Sequence, residues 1–177
     1  MPLVDFAGKI IDVRTAEECE QAIVFLKTQS ITGFDTETKP SFKKGVINKV
    51  ALIQISTADV CYLFYLNQIE NADALLDFLA DGSITKIGIA IKDDSHSLRR
   101  RFKSITLKGF IDIQDIIVQC GIAEKGLQKI FAILFKQKIS KSQQLTNWEN
   151  PELTESQKRY AAIDAWACLE IYRKLTN

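Results

Sequence analysis

With 177 residues, 46% of them hydrophobic and 25% charged, the chain reads as a single globular domain over residues 1–177. A domain of that size buries about 70% of its unfolded surface without staples. The formal net charge of +1 excludes a whole-molecule field that would gather nucleic acid, so any basic footprint must be local. Cys19, Cys61, Cys120 and Cys168 lie far apart and form no C-x-x-C pair, which argues against zinc and for reduced, packed thiols. The N-terminus lacks a signal-peptide layout, and no apolar run is long enough for a bilayer. The expectation is an intracellular, cytoplasmic protein with no membrane partner.

Residues 15–29 carry acids first and then apolar residues at helical spacing (Ala22, Val24, Phe25, Leu26), which predicts a helix. Next comes an apolar, β-leaning run from Ile31 that ends in Asp35 and Glu37. Alternation puts Ile31, Gly33, Asp35 and Glu37 on one face and Thr32, Phe34 and Thr36 on the other. Two acids side by side repel each other unless a cation sits between them, and their hard oxygens suit Mg²⁺ or Mn²⁺. A pair of solvated acids at a strand exit is the plainer alternative.

The run Val50-Ala-Leu-Ile-Gln-Ile-Ser fits a buried strand, and Val60-Cys-Tyr-Leu-Phe-Tyr after a polar break suggests an antiparallel hairpin. Residues 68–80 read as helical. Residues 86–91 read as a strand running into Asp93-Asp94 and a helix that ends among Arg99, Arg100 and Arg101. One Asp at such a junction serves as an N-cap; two exceed what capping needs. Residues 110–113 form a short strand, and everything after 114 reads as helices. This order predicts an α/β layer fold, a mixed central β-sheet flanked by α-helices.

The last helix has a capping box, Thr154-Glu-Ser-Gln157, that fixes its start near Glu155. Its inward stripe is Tyr160, Ile163, Asp164, Ala167 and Ile171, so Asp164 lies among apolar residues and needs an interior partner. Gly33 shares the face of Asp35 and leaves room for a helix to approach that strand closely.

Phe34-Asp-Thr-Glu37, Ile87-Gly-Ile-Ala-Ile-Lys-Asp-Asp94-Ser-His-Ser-Leu98 and Tyr160-Ala-Ala-Ile-Asp164 resemble, in that order, the three motifs of the DEDD superfamily of 3′→5′ exonucleases. The match is to the tyrosine-bearing branch. Lys49-Val-Ala-Leu-Ile-Gln-Ile and the run from Thr146 to Tyr160 look most like its Werner-type and ribonuclease D domains. The resemblance implies a ribonuclease H-like fold and selects Asp94, four residues before Leu98, leaving Asp93 as N-cap or neighbour. The other branch places a histidine five residues before the last Asp, where this chain has Arg159; the only histidine, His96, is elsewhere.

By resemblance, Asp35, Glu37, Asp94 and Asp164 hold two divalent cations, Mg²⁺ or Mn²⁺, with Asp35 shared and Asp94 serving the second ion. Tyr160 orients the attacking water, and hydrolysis from a 3′ end releases nucleoside 5′-monophosphates. The partner is single-stranded or 3′-ended nucleic acid. Candidates to grip it are Lys39, Lys43, Lys44 and Lys49 after the first motif, and Arg99, Arg100, Arg101 and Lys103 after the second. Lys141 and Asn147-Trp148 precede the last helix, where this branch often places residues near the scissile strand. Phe42 or Trp148 is available to stack on bases, although core packing is the favoured role for Trp148. Without extra helical domains the chain resembles stand-alone Werner-type exonucleases, so DNA is expected ahead of RNA. Alternatives are ribonuclease D-like RNA processing and a degenerate binding module, but all five catalytic positions hold the expected residue types.

Overall fold

The computed structural model describes residues 1–177. Six strands form one sheet: β1 (Lys9–Val13), β2 (Ile31–Thr38), β3 (Val50–Ser56), β4 (Val60–Tyr65), β5 (Thr85–Gly88) and β6 (Phe110–Asp112). Their spatial order is β1-β4-β3-β2-β5-β6. The β1–β4, β2–β5 and β5–β6 pairs are parallel, and β3 runs antiparallel to both of its neighbours. The helices are α1 (Ala16–Leu26), α2 (Asp73–Leu79), α3 (Ile91–Arg101), α4 (Ile113–Ile117), α5 (Leu127–Phe135) and α6 (Glu155–Thr176).

Side-chain alternation divides the core between the two faces of the sheet. Phe34, Ile53, Ile55 and Phe64 pack with α1, α2 and Leu98 of α3. Leu52, Leu63 and Ile87 pack with α4, α5 and α6. The helix α6 begins where its capping box predicts, with Thr154 accepting from the Gln157 amide and Gln157 from the Thr154 amide. It is buried on far more than one stripe, because it lies directly against β2. A Cβ on Gly33 would stand 2.0 Å from the Ala165 carbonyl oxygen, so only glycine permits this approach.

Several expectations need correction. The strand read over residues 86–91 stops at Gly88, because the chain turns left-handed at Ala90 (φ 54°) and α3 begins at Ile91. Asp93 is therefore inside the first turn of α3 and is not the N-cap, a position that Ala90 holds. The strand β1 was not foreseen, and the predicted all-helical region after residue 114 contains an irregular stretch between α5 and α6. Cys19, Cys61 and Cys168 are buried thiols, whereas Cys120 is exposed. No helix is long and apolar enough to cross a membrane.

Candidate active site

Asp35 and Glu37 lie near the carboxyl end of β2, on the face turned to α6, and Asp164 comes down from α6 to meet them. One carboxylate oxygen from each of the three lies within 4.8 Å of the others. Glu37 is 9% exposed and Asp164 5%. The register of the sheet slips between Glu37 and Thr38, an irregularity of the kind that re-aims side chains beside functional sites.

Asp94 arrives from the opposite layer. Thr36, whose side chain leaves β2 on the other face, donates from its hydroxyl to Asp94 Oδ1 at 2.7 Å. The fourth acid thus stands outside the tight trio but close enough that its charge bears on Asp35 and Glu37. Alternation along β2 explains how one strand serves both layers: odd positions face α6, and Thr36 faces α3.

No ion pair reaches any of the four carboxylates; every salt bridge of the chain lies elsewhere. Burial, and then the charges of Asp164 and Asp94, push the Asp35 carboxyl well above its ordinary range. Burial, followed by Asp35 and Asp164, does the same to Glu37, against a small opposing effect of Gln54. Burial lifts Asp164 to about 7, with Tyr160 opposing. Burial also lifts Asp94 to about 7, reinforced by Asp93 and Asp112 and opposed by Thr36. Asp164 Oδ1 is buried without a hydrogen-bond partner. An orphaned buried oxygen among oxygen-only donors fits a hard divalent cation, which would supply the missing partner and the missing charge.

Tyr160 lies one turn before Asp164 and is buried beside it. Burial and the three acids, Asp164 foremost among them, raise its phenol pKa, so it remains protonated and able to donate. Its ring packs on Trp148, with centroids 5.8 Å apart. Trp148 is 2% exposed, and its indole nitrogen donates to the Gln144 carbonyl. The indole therefore supports Tyr160 and is not open to a base, which corrects its assignment as a nucleic-acid contact. Gln157 holds this arrangement by donating to Thr146 Oγ1 and the Asn147 carbonyl.

Two further residues escaped the sequence reading. Gln54, paired across the ladder with Asp35, donates to Glu37 Oε1 at 3.4 Å and to the Ala161 carbonyl at 3.2 Å. A lone amide within the apolar run of β3 was the available signal. Thr36 is the other, visible only as the odd residue between two acids.

The basic candidates are peripheral. Lys43, Lys44 and Lys49 are exposed and Lys39 partly so, in the loop 39–49 that leaves β2; Phe42 there is 84% exposed. Arg99 is exposed on α3 and donates to Ser95. Arg101 is partly buried and bonded to Asn67. Lys141 is exposed, and the Asn147 side chain is engaged with Asn150 and the Glu149 amide of its own loop.

Beside this geometry, a carboxylate trio with a fourth acid at the end of a strand, stand the likenesses of the whole chain to known proteins. The family model described as 3′-5′ exonuclease matches residues 10–177. The chain belongs to that family. It is 34% identical over 187 aligned positions to the bifunctional 3′-5′ exonuclease/ATP-dependent helicase WRN of Mus musculus, covering 100% of this chain and 13% of that protein. Its fold superimposes on the Aedes aegypti Nibbler EXO domain with a TM-score of 0.86, at 23% identity, covering 94% of this chain and 86% of the other. Escherichia coli RNase D, described as an exoribonuclease involved in structured RNA processing, gives 0.83 at 25% identity, covering 95% and 44%. The chain thus spans a small part of the mouse protein and under half of the RNase D chain. The expected ribonuclease H-like α/β fold and the likeness to Werner-type and ribonuclease D exonucleases are borne out.

Proposed function

We propose that the chain is a divalent-cation-dependent 3′→5′ exonuclease that hydrolyses nucleic-acid phosphodiesters and releases nucleoside 5′-monophosphates. The observation that carries this reading is the trio of half-buried Asp35 and buried Glu37 and Asp164, which has no cationic side chain to balance it. Asp35 would be shared by two ions, Mg²⁺ or Mn²⁺, with Glu37 and Asp164 completing one site and Asp94 serving the other. Such ions supply Lewis-acid charge to a phosphodiester and acidify water near neutral pH.

The remaining work falls to the chain itself. Tyr160, held protonated, donates a hydrogen bond that orients the attacking water, and it acts as a positioner and not as the base. Gln54 fixes the Glu37 carboxylate, and Thr36 fixes that of Asp94. The candidates to meet phosphates of a single-stranded or 3′-ended strand, whose backbone carries no sequence information, are the exposed or half-exposed Lys39, Lys43, Lys44, Arg99, Lys141 and Asn147. DNA is the first substrate, by likeness to the Werner-type domain. RNA is the second reading, favoured by the structural likeness to an exoribonuclease.

Matched DNA and RNA strands, labelled at the 5′ or the 3′ end, test the proposal when incubated with the purified chain and Mn²⁺. The expected result is a ladder shortening from the 3′ end with mononucleotide product, abolished by chelator. A folded chain that shortens neither polymer overturns the enzyme reading.

A further inference from the structure

Three of the four acids are fixed by elements that the sheet itself positions, but Asp94 depends on the start of α3. That start is unusual. Ala90 is left-handed (φ 54°, ψ 45°), a conformation that residues with a Cβ rarely adopt, and α3 has no side-chain cap of its own. Its free amides are taken by a residue from the neighbouring strand. Asp112 Oδ1 accepts from the Ala90 amide at 3.2 Å, and Oδ2 accepts from the Ile91 amide at 2.9 Å. Oδ1 also accepts from the Gln114 amide at 2.9 Å, so the same carboxylate caps α4.

Register puts it there: Gly88, the last residue of β5, pairs with Asp112, the last residue of β6. The carboxylate therefore stands beside the point at which the chain must bend. Three residues beyond Ile91, Asp94 accepts from Thr36 at 2.7 Å. Asp112 has no hydrogen bond to any of the four acids; its charge reaches Asp94, but its contacts are with the backbone that it clamps.

We propose that Asp112 is a positioning residue for the second cation: its two oxygens hold the Ala90–Ile91 bend and so aim Asp94. The proposal rests on the reading of Asp94 as a cation ligand. A carboxylate is required, because an amide at this position would turn an N–H donor toward a backbone N–H donor.

The test uses the full chain, with Mn²⁺ titrated calorimetrically and amide hydrogen exchange followed residue by residue. The wild type is expected to take up a tighter and a weaker ion, and Asp94→Asn to lose the weaker one. Asp112→Asn should keep the tighter ion, weaken the other by about tenfold or more, and speed exchange at the first turn of α3 while leaving α6 unchanged. Adding Ala90→Gly to Asp112→Asn should recover much of the loss, since glycine adopts the left-handed bend unaided; this second variant also serves if the single one folds poorly. Faster exchange at α3 with the weaker ion's affinity unchanged would make Asp112 a helix cap only and overturn the proposal. Failure of Ala90→Gly to recover any affinity would also overturn it. A wild type that binds no second ion removes the four-carboxylate reading itself, a failure visible before any substitution is made.

Discussion

Two polar clusters lie along α6, and they follow opposite rules. Near the start of the helix, Lys158 donates to Asp12 at 2.7 Å and to Glu152 at 3.2 Å, Arg14 pairs with Asp12 and Glu152, and the Tyr65 hydroxyl donates to Asp12. Burial opposes the Lys158 charge, but Asp12 and Glu152 outweigh it and raise its pKa. There both signs are present, and Arg14 Nε is the one buried nitrogen left without a partner. Two turns further on, Asp164 meets Asp35 and Glu37 with no positive group at all. A cluster that balances its own charge ties β1 to α6. A cluster that does not is what the proposed cation site requires, since its repulsion is left unrelieved by any side chain of the chain itself.

The contrast is broken most sharply at Asp35. Asp35→Ala removes the ligand proposed to be shared, and initial rates on a 5′-labelled strand should fall by about a thousandfold or more. Residual activity within about tenfold of wild type would place the reacting centre elsewhere.

Asp94→Asn should lower the rate by about a hundredfold or more, whereas Asp93→Asn should leave it within a few fold. Asp94 is bonded to Thr36 at the site, and Asp93 is exposed on α3. The reverse order of rates would mean that the wrong member of the pair has been assigned.

Tyr160→Phe should raise the barrier by about 2–4 kcal/mol, the loss of one orienting donor in a dry site. Cation affinity and melting temperature should hardly change, because the ring still packs on Trp148. Wild-type turnover from this variant would reduce Tyr160 to a packing residue.

The smallest effect on rate belongs to the balanced cluster. Asp12→Asn should leave turnover unchanged and lower stability by about 1 kcal/mol, as read in urea unfolding, because its partners remain partly exposed to water. A large loss of activity would show that the two clusters are not independent.

What was legible in the sequence was what neighbours in sequence decide. Alternation along β2 sorted Asp35 and Glu37 from Thr36, the capping box placed the start of α6, and helical spacing turned Asp164 inward. Gly33 foretold the close approach of α6. What escaped depends on register between distant strands. Gln54 lies opposite Asp35, and Asp112 opposite Gly88, only once the sheet is assembled. Ala90 gives no local sign of a left-handed bend, since glycine or asparagine would be the usual marker, so the end of β5 and the start of α3 were misjudged. Core packing of Trp148 was legible, but its stacking on Tyr160 and its bond to the Gln144 carbonyl were not.

The central claim, that the acid cluster is a cation site without its own counter-charge, is tested most directly by thermal unfolding of wild type and Asp164→Asn with chelator or Mn²⁺. The carboxyl pKa values are raised in the folded protein, to about 7 for Asp94 and Asp164. Their contribution is therefore full below the unfolded value near pH 4 and is lost as pH rises toward about 7. In chelator at about pH 8, Asp164→Asn should melt above wild type by the equivalent of about 1 kcal/mol or more, and near pH 4 the gap should close. Mn²⁺ at about pH 8 should raise the wild-type melting temperature and do far less for the variant. A wild type indifferent to Mn²⁺, and no less stable than Asp164→Asn at about pH 8 in chelator, would contradict the account.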